Sequence, residues 1–162
     1  MQIEKLKTSD LVPYARNPRE HSEKQVAQIA ASIREFGFNN PVLVNSENTV
    51  IAGHGRLEAA RLLKIDEVPC VRLEHLTPTQ AKAYGIIDNQ LTINSDWDNE
   101  LLRLEIEDLK IEGMDMDLLG FDDSEMADLF IPESANGKEF DESCAGKVEF
   151  IECPECHHKW PK

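Results

Sequence analysis

The 162-residue sequence has no long apolar run. Stretches such as residues 41–44 and 68–71 are about four or five residues long, against the roughly 20 that a membrane-crossing helix needs. Residues 1–10 carry charges where the apolar part of a signal peptide would stand, so no secretory leader is read. These absences point to a soluble, intracellular protein without membrane contact. Disulfide scaffolding is also missing: the four cysteines, at 70, 144, 153 and 156, do not form an even framework. Cys70 lies in an apolar run and reads as a buried structural thiol. An excess of basic charge is absent everywhere. Residues 1–95 hold 11 Lys+Arg and 11 Asp+Glu, whereas residues 96–162 hold 6 and 20, so the net −14 sits entirely in the last 67 residues. Such an acidic part cannot bind DNA phosphates by counterion release. It reads either as a solvated helical surface or as a docking surface.

What is present suits one folded domain with an appendage. Hydrophobic residues at 41% allow a core and exclude wholesale disorder. Residues 2–6 alternate as a short strand. Residues 10–18, with Pro13, Asn17 and Pro18, read as an extended loop. Ser22 and Gln25 have capping-box spacing, and Val26, Ile29, Ala30, Ile33 and Phe36 follow at helical intervals up to Gly37. Strands are expected at 41–44, 49–52 and 68–73, with a helix running from about residue 55 to 64. Thr77, Pro78 and Gln80 mark the start of another helix, within which Gly85 threatens an interruption. Residues 99–111 and 124–130 read as acidic helices, with a short apolar-acidic turn at 114–121. The expected organisation is a first domain at 1–95, an acidic helical extension at 96–131, a linker at 132–147 and a tail at 148–162.

Three polar clusters carry possible chemistry. Gly53-His54-Gly55-Arg56 stands between a strand and a helix. A helix start offers unpaired N–H groups and positive dipole character, glycines let the backbone approach an anion, and Arg56 adds a forked charged contact. A tight turn with a surface arginine would give the same letters. Arg16, Asn17, Arg19, Glu20 and His21 form the second cluster, which either converges on the same anion or is an ordinary charged loop. The third, Asp88-Asn89-Gln90, has oxygen ligands that suit magnesium beside a phosphate, or is a solvated helix face.

The order and spacing of these clusters resemble the N-terminal domain of the ParB/sulfiredoxin superfamily over about residues 1–95. The matching stretches are Asp10-Leu11-Val12-Pro13, Asn17-Pro18-Arg19, Ser32-Ile33-Arg34-Glu35-Phe36-Gly37, Asn40-Pro41-Val42-Leu43-Val44, Ala52-Gly53-His54-Gly55-Arg56 and Val68-Pro69-Cys70. The resemblance implies an α/β (α+β) fold with a small mixed sheet and packed helices. It also implies a nucleotide, CTP or ATP, held with Mg²⁺. By position, Arg19, Gly53 and Arg56 match the family's phosphate motifs, and Asp88-Asn89 matches its magnesium-holding pair. Arg16, His54 and Gly55 complete the expected nucleotide-binding set. His54 stands where ParB has a glutamate and sulfiredoxin a reactive cysteine, so sulfiredoxin chemistry is not expected without a thiol in the turn. Residues 76–130 resemble a segment found between such a domain and a DNA methyltransferase. No methyltransferase motif is read, nor the helix-turn-helix that gives chromosome-segregation ParB its DNA specificity.

The tail ends in Cys153-Pro154-Glu155-Cys156-His157-His158. That is the spacing of one zinc knuckle, with His157 or His158 as a third ligand and Cys144 as a fourth if the linker folds back. A redox pair or free thiols would show the same spacing. The resulting expectation is a nucleotide-binding, DNA-associated accessory factor of phage or prophage type, acting in DNA modification, partition or packaging. It would sit in the cytoplasm of a bacterium or phage-infected host. Its expected partners are nucleotide, DNA, a methyltransferase or other phage protein, and a second copy in a homodimer. One alternative is a nuclease or small-molecule kinase, with His54 as general base and Glu20 or Asp88 positioning a metal or nucleophile. Another is an acidic protein-interaction module.

Overall fold

The structure is a computed structural model. It describes residues 2–131 and the backbone of 150–152 and 159–161. Cys144, Cys153, Cys156, His157 and His158, on which the expectation of a zinc knuckle falls, lie outside the described residues. Two compact units divide the chain at Phe121/Asp122.

The first unit is built on a four-stranded mixed sheet. Its strands are β1 (Ile3–Lys7), β2 (Val42–Val44), β3 (Val50–Ala52) and β4 (Glu67–Arg72), in the order β1-β4-β2-β3. β4 pairs antiparallel with β1 and parallel with β2, and β2 pairs antiparallel with β3. Val42, Val44, Val50, Val68 and Cys70 turn into one core with Leu11, Leu57 and Ala60. Cys70 is wholly buried, as its apolar run predicts, and has no disulfide partner among the described residues. Burial first, and the Glu4 carboxylate second, push its thiol up to about 11, with Arg72 pulling the other way. Arg72 fastens the sheet edge by donating to Glu4 Oε1, Asn45 O and Asn48 Oδ1 at 2.8–2.9 Å.

Helix α1 (Glu23–Phe36) begins at Ser22, whose side chain accepts the Gln25 N–H, and stops at Gly37 with φ +83°. The box closes on one side only, because Gln25 Oε1 meets His21 Nδ1 at 2.9 Å. Helix α2 (His54–Leu62) buries Gly55, Leu57, Ala59 and Ala60. Gly55, Ala59 and Ala60 are small and let it lie close to α1 and the sheet, while Leu57 fills the core. Helix α3 (Pro78–Ile93) starts in a complete Thr77/Gln80 capping box and runs through Gly85 without interruption. A β-carbon on Gly85 would stand 2.9 Å from the Ile51 carbonyl oxygen. The glycine therefore serves a close approach of α3 to β3 rather than a break.

Helix α4 (Asn99–Ile111) is capped by Asp98 and buries Ile106. A 3₁₀ turn (Met116–Leu119) follows, and Gln28 of α1 donates to Gly120 O just beyond it. In the second unit, α5 (Asp123–Leu129) starts in an Asp122/Glu125 capping box, and β5 (Phe150–Glu152) pairs antiparallel with β6 (Lys159–Pro161). Among the described residues no helix is long and apolar enough to cross a membrane.

Candidate functional site

The site forms where the sheet hands the chain to α2. Gly53 is the N-cap of α2, in left-handed conformation at φ +97°, and no side chain caps the helix. Its first-turn N–H groups therefore lack a side-chain acceptor, and no acidic residue occupies that turn. A β-carbon on Gly53 would press within 3.0–3.2 Å of the Arg56 guanidinium, which folds back over the turn. Arg56 Nη2 donates to Pro41 O at 3.3 Å, while Nε is buried with no acceptor. A buried unpaired donor of this kind costs about 1–3 kcal/mol until something accepts it. Burial pushes the guanidinium below the ordinary arginine range, and the nearby Asp88 carboxylate offsets part of that.

All three polar clusters meet here. Arg19, His21, Gly53, His54, Gly55, Arg56, Asp88 and Asn89 line one cavity of about 170 Å³, together with Asn17, Ile29 and Thr92. The close seat of Gly85 on Ile51 is what brings Asp88 and Asn89 to it, one turn further along α3. Asn89 Nδ2 donates to Gly85 O at 2.7 Å, which leaves its Oδ1 as an acceptor. Gly55 meets His21: a β-carbon there would lie 3.0–3.1 Å from the His21 ring and Ile29 Cδ1. His21 thus fills the hollow beside the second residue of α2.

Two of the expected residues do not join this cavity. Glu20 is exposed and absent from its lining, so a catalytic role for it beside His54 is not supported. Arg16 lines a neighbouring cavity of about 560 Å³ instead, with Lys82, Ile86 and Pro78. The general-base role read for His54 also meets an obstacle. Its Nε2 accepts the Tyr14 backbone N–H at 3.2 Å, so that lone pair is already engaged. Burial first, and His21 second, lower the pKa of the ring from 6.5, and Glu58 opposes them. The Tyr14 contact has no signal in the sequence, because forty residues separate the partners. A third cavity, of about 360 Å³, shares Arg56 and Ile29 with the 170 Å³ cavity and is lined also by Ser32, Phe36, Phe38, Asn39 and Asn40, among others.

Known proteins match the chain in two stretches. Residues 1–90 match the model of the ParB N-terminal domain. Residues 100–149 match that of the ParB-methyltransferase HTH domain. The second match overlaps the stretch 76–130 that resembles a segment found next to DNA methyltransferases, and it is not the helix-turn-helix of chromosome-segregation ParB. Residues 100–149 hold 4 Lys+Arg against 16 Asp+Glu.

The Escherichia coli (strain K12) ParB-like nuclease domain-containing protein YnaK is 52% identical over 71 residues, covering 44% of this chain and 82% of that protein. Stage 0 sporulation protein J of Bacillus subtilis is 26% identical over 91 residues, covering 54% of this chain and 32% of its own length. The chain thus spans about a third of that relative. Among solved structures, Caulobacter crescentus ParB complexed with CTP-gamma-S shares the fold. Its TM-score is 0.60 at 24% identity, covering 70% of this chain and 67% of that one. By its sequence match over residues 1–90, the chain belongs to the ParB N-terminal domain family.

Proposed function

We propose that this chain binds a nucleoside triphosphate, with the phosphates against the start of α2, and acts as a DNA-associated ParB-like accessory factor. The observation that carries the reading is the shared cavity: an uncapped helix start, Arg56 and Arg19 all line one space. Backbone N–H groups and forked guanidinium donors suit phosphate oxygens better than any neutral ligand.

Size separates the parts of the ligand. A cavity of 170 Å³ falls below the roughly 300–1,000 Å³ usual for small-molecule sites. It takes phosphates and not a base. The 360 Å³ cavity that shares Arg56 offers Ser32, Asn39 and Asn40, whose hydroxyl and amides suit the edge of a base. Asp88 and Asn89 Oδ1 fit magnesium, which takes one or two protein oxygens and otherwise water and phosphate. The ion would neutralise phosphate charge there. CTP is the first nucleotide to try, since the matching Caulobacter crescentus ParB is complexed with CTP-gamma-S.

The nuclease alternative has less support. Among the described residues Asp88 is the sole carboxylate lining the cavity, and the His54 Nε2 lone pair accepts the Tyr14 N–H. A second reading concerns residues 100–131, where Leu101, Leu104 and Ile111 are exposed among the acidic side chains. In it, this segment docks a protein, such as a methyltransferase or another phage protein, rather than reading DNA. A role in DNA modification, partition or packaging, homodimerisation, and zinc at the terminal cysteines belong to the same proposal.

Calorimetry of the full chain with CTP, ATP, GTP and UTP, each with magnesium, tests the nucleotide reading. Saturable binding of at least one, lost in Arg56→Ala, is expected. Silence with all four at millimolar concentration rejects it.

A further inference from the structure

His54 is the first residue of α2 and lines both the 170 Å³ and the 560 Å³ cavities. Its Nε2 accepts the Tyr14 N–H at 3.2 Å. A backbone amide can only donate, so Nε2 carries no proton and the ring's hydrogen resides on Nδ1.

Tyr14 leads directly to the arginine of the anion cavity. Asn17 N–H donates to Tyr14 O at 3.0 Å. Asn17 Nδ2 donates to Arg19 O at 2.8 Å, and Arg19 N–H donates to Asn17 Oδ1 at 3.3 Å. Prolines 13 and 18 remove two backbone donors from this loop, and the three hydrogen bonds above are internal to it. Pairing with the sheet reaches only Val12, opposite Thr49. Beyond Val12, the bond to His54 ties the loop to the start of α2.

We infer that His54 is a positioning residue: by accepting at Nε2 it clamps the Tyr14–Arg19 loop and so holds Arg19 against the anion end of α2. Its consequence for binding rests on the nucleotide reading, whereas the clamp itself does not. The role differs from general-base catalysis, which would need the lone pair that the clamp uses.

The test uses the full chain with His54→Ala and His54→Gln. Both new residues are good helix formers, so α2 is kept. Glutamine retains an acceptor oxygen and alanine does not. Hydrogen exchange at the Tyr14 amide reads the clamp, imidazole ¹⁵N shifts read the tautomer, and calorimetry with CTP and magnesium reads the consequence. In the wild type we expect Tyr14 protection and an Nδ1–H tautomer. In His54→Ala, protection is lost and affinity falls roughly tenfold, the scale of one hydrogen bond. In His54→Gln both return to within about threefold of wild type.

Full Tyr14 protection in His54→Ala overturns the clamp. So does a His54→Gln chain as impaired as His54→Ala. Wild-type affinity in His54→Ala despite an unprotected Tyr14 overturns the positioning role. A wild-type chain that binds no nucleotide removes the nucleotide reading, and Tyr14 protection then decides the clamp alone.

Discussion

Gly85 and Ile51 meet backbone to backbone: a β-carbon on the glycine would sit 2.9 Å from the carbonyl oxygen of Ile51. This contact seats α3 on β3 and carries Asp88 and Asn89 to the start of α2. Gly85→Ala sets two effects against each other. Alanine favours a helix interior by about 1 kcal/mol over glycine, but overpacking costs typically about 1–3 kcal/mol. The obstruction is backbone and cannot swing away, so the clash wins. Urea unfolding should show a lower midpoint at unchanged slope, and nucleotide affinity should fall with it. A variant more stable than the wild type would refute the close seat.

Gly55 and His21 form a second pair that substitution can probe. Gly55→Ala drives a β-carbon to 3.0–3.1 Å from the His21 ring and Ile29 Cδ1. It should destabilise by about 1–2 kcal/mol. Combining it with His21→Ala should recover part of that loss, a coupling of about 0.5 kcal/mol or more. Strict additivity in the double-mutant cycle would mean that the two residues do not touch.

Acid should weaken the fold through His54. Burial and the neighbouring His21 hold its folded pKa below 6.5, and Glu58 opposes them. A histidine whose pKa is lower when folded contributes stability above its unfolded value, and loses it as pH falls through the folded one. Below pH 6.5 the urea midpoint should therefore decline, and Tyr14 amide protection with it, because protonated Nε2 can no longer accept. His54→Gln should flatten that part of the profile. Equal slopes in the two chains would assign the acid sensitivity elsewhere.

The segment that matches the ParB-methyltransferase HTH domain should not behave as an ordinary DNA reader. With 4 Lys+Arg against 16 Asp+Glu over residues 100–149, it repels phosphates. Replacing exposed acidic residues of α4, such as Glu105 and Asp108, by Asn or Gln should therefore raise weak duplex affinity in gel shifts at low salt. It should weaken capture of a basic protein partner. Tight salt-sensitive DNA binding by the wild type, lost in these variants, would reverse the assignment.

Local chemistry made much of this architecture legible. Thr77, Pro78 and Gln80 announce α3, and the Gly-rich turn announces α2, because caps and turns use contacts a few residues apart. The convergence of Arg19, Arg56 and Asp88 was visible through the family resemblance. Other features depend on pairs far apart in the chain. Gly85 looks like a breaker until Ile51 is placed beneath it, and Gln25 looks like a box-closing residue until His21 takes its oxygen. His54 has the composition of a base, and only the Tyr14 amide reveals that its lone pair is engaged.

The central claim is that a polyphosphate rests on the amino end of α2. Amide and guanidinium shifts of the ¹⁵N-labelled full chain, followed during addition of CTP with magnesium, test it most directly. The account predicts saturable changes concentrated at the amides of residues 53–57 and at the Arg19 and Arg56 side chains. Saturable changes confined to residues 100–131, or none at any residue, would contradict it.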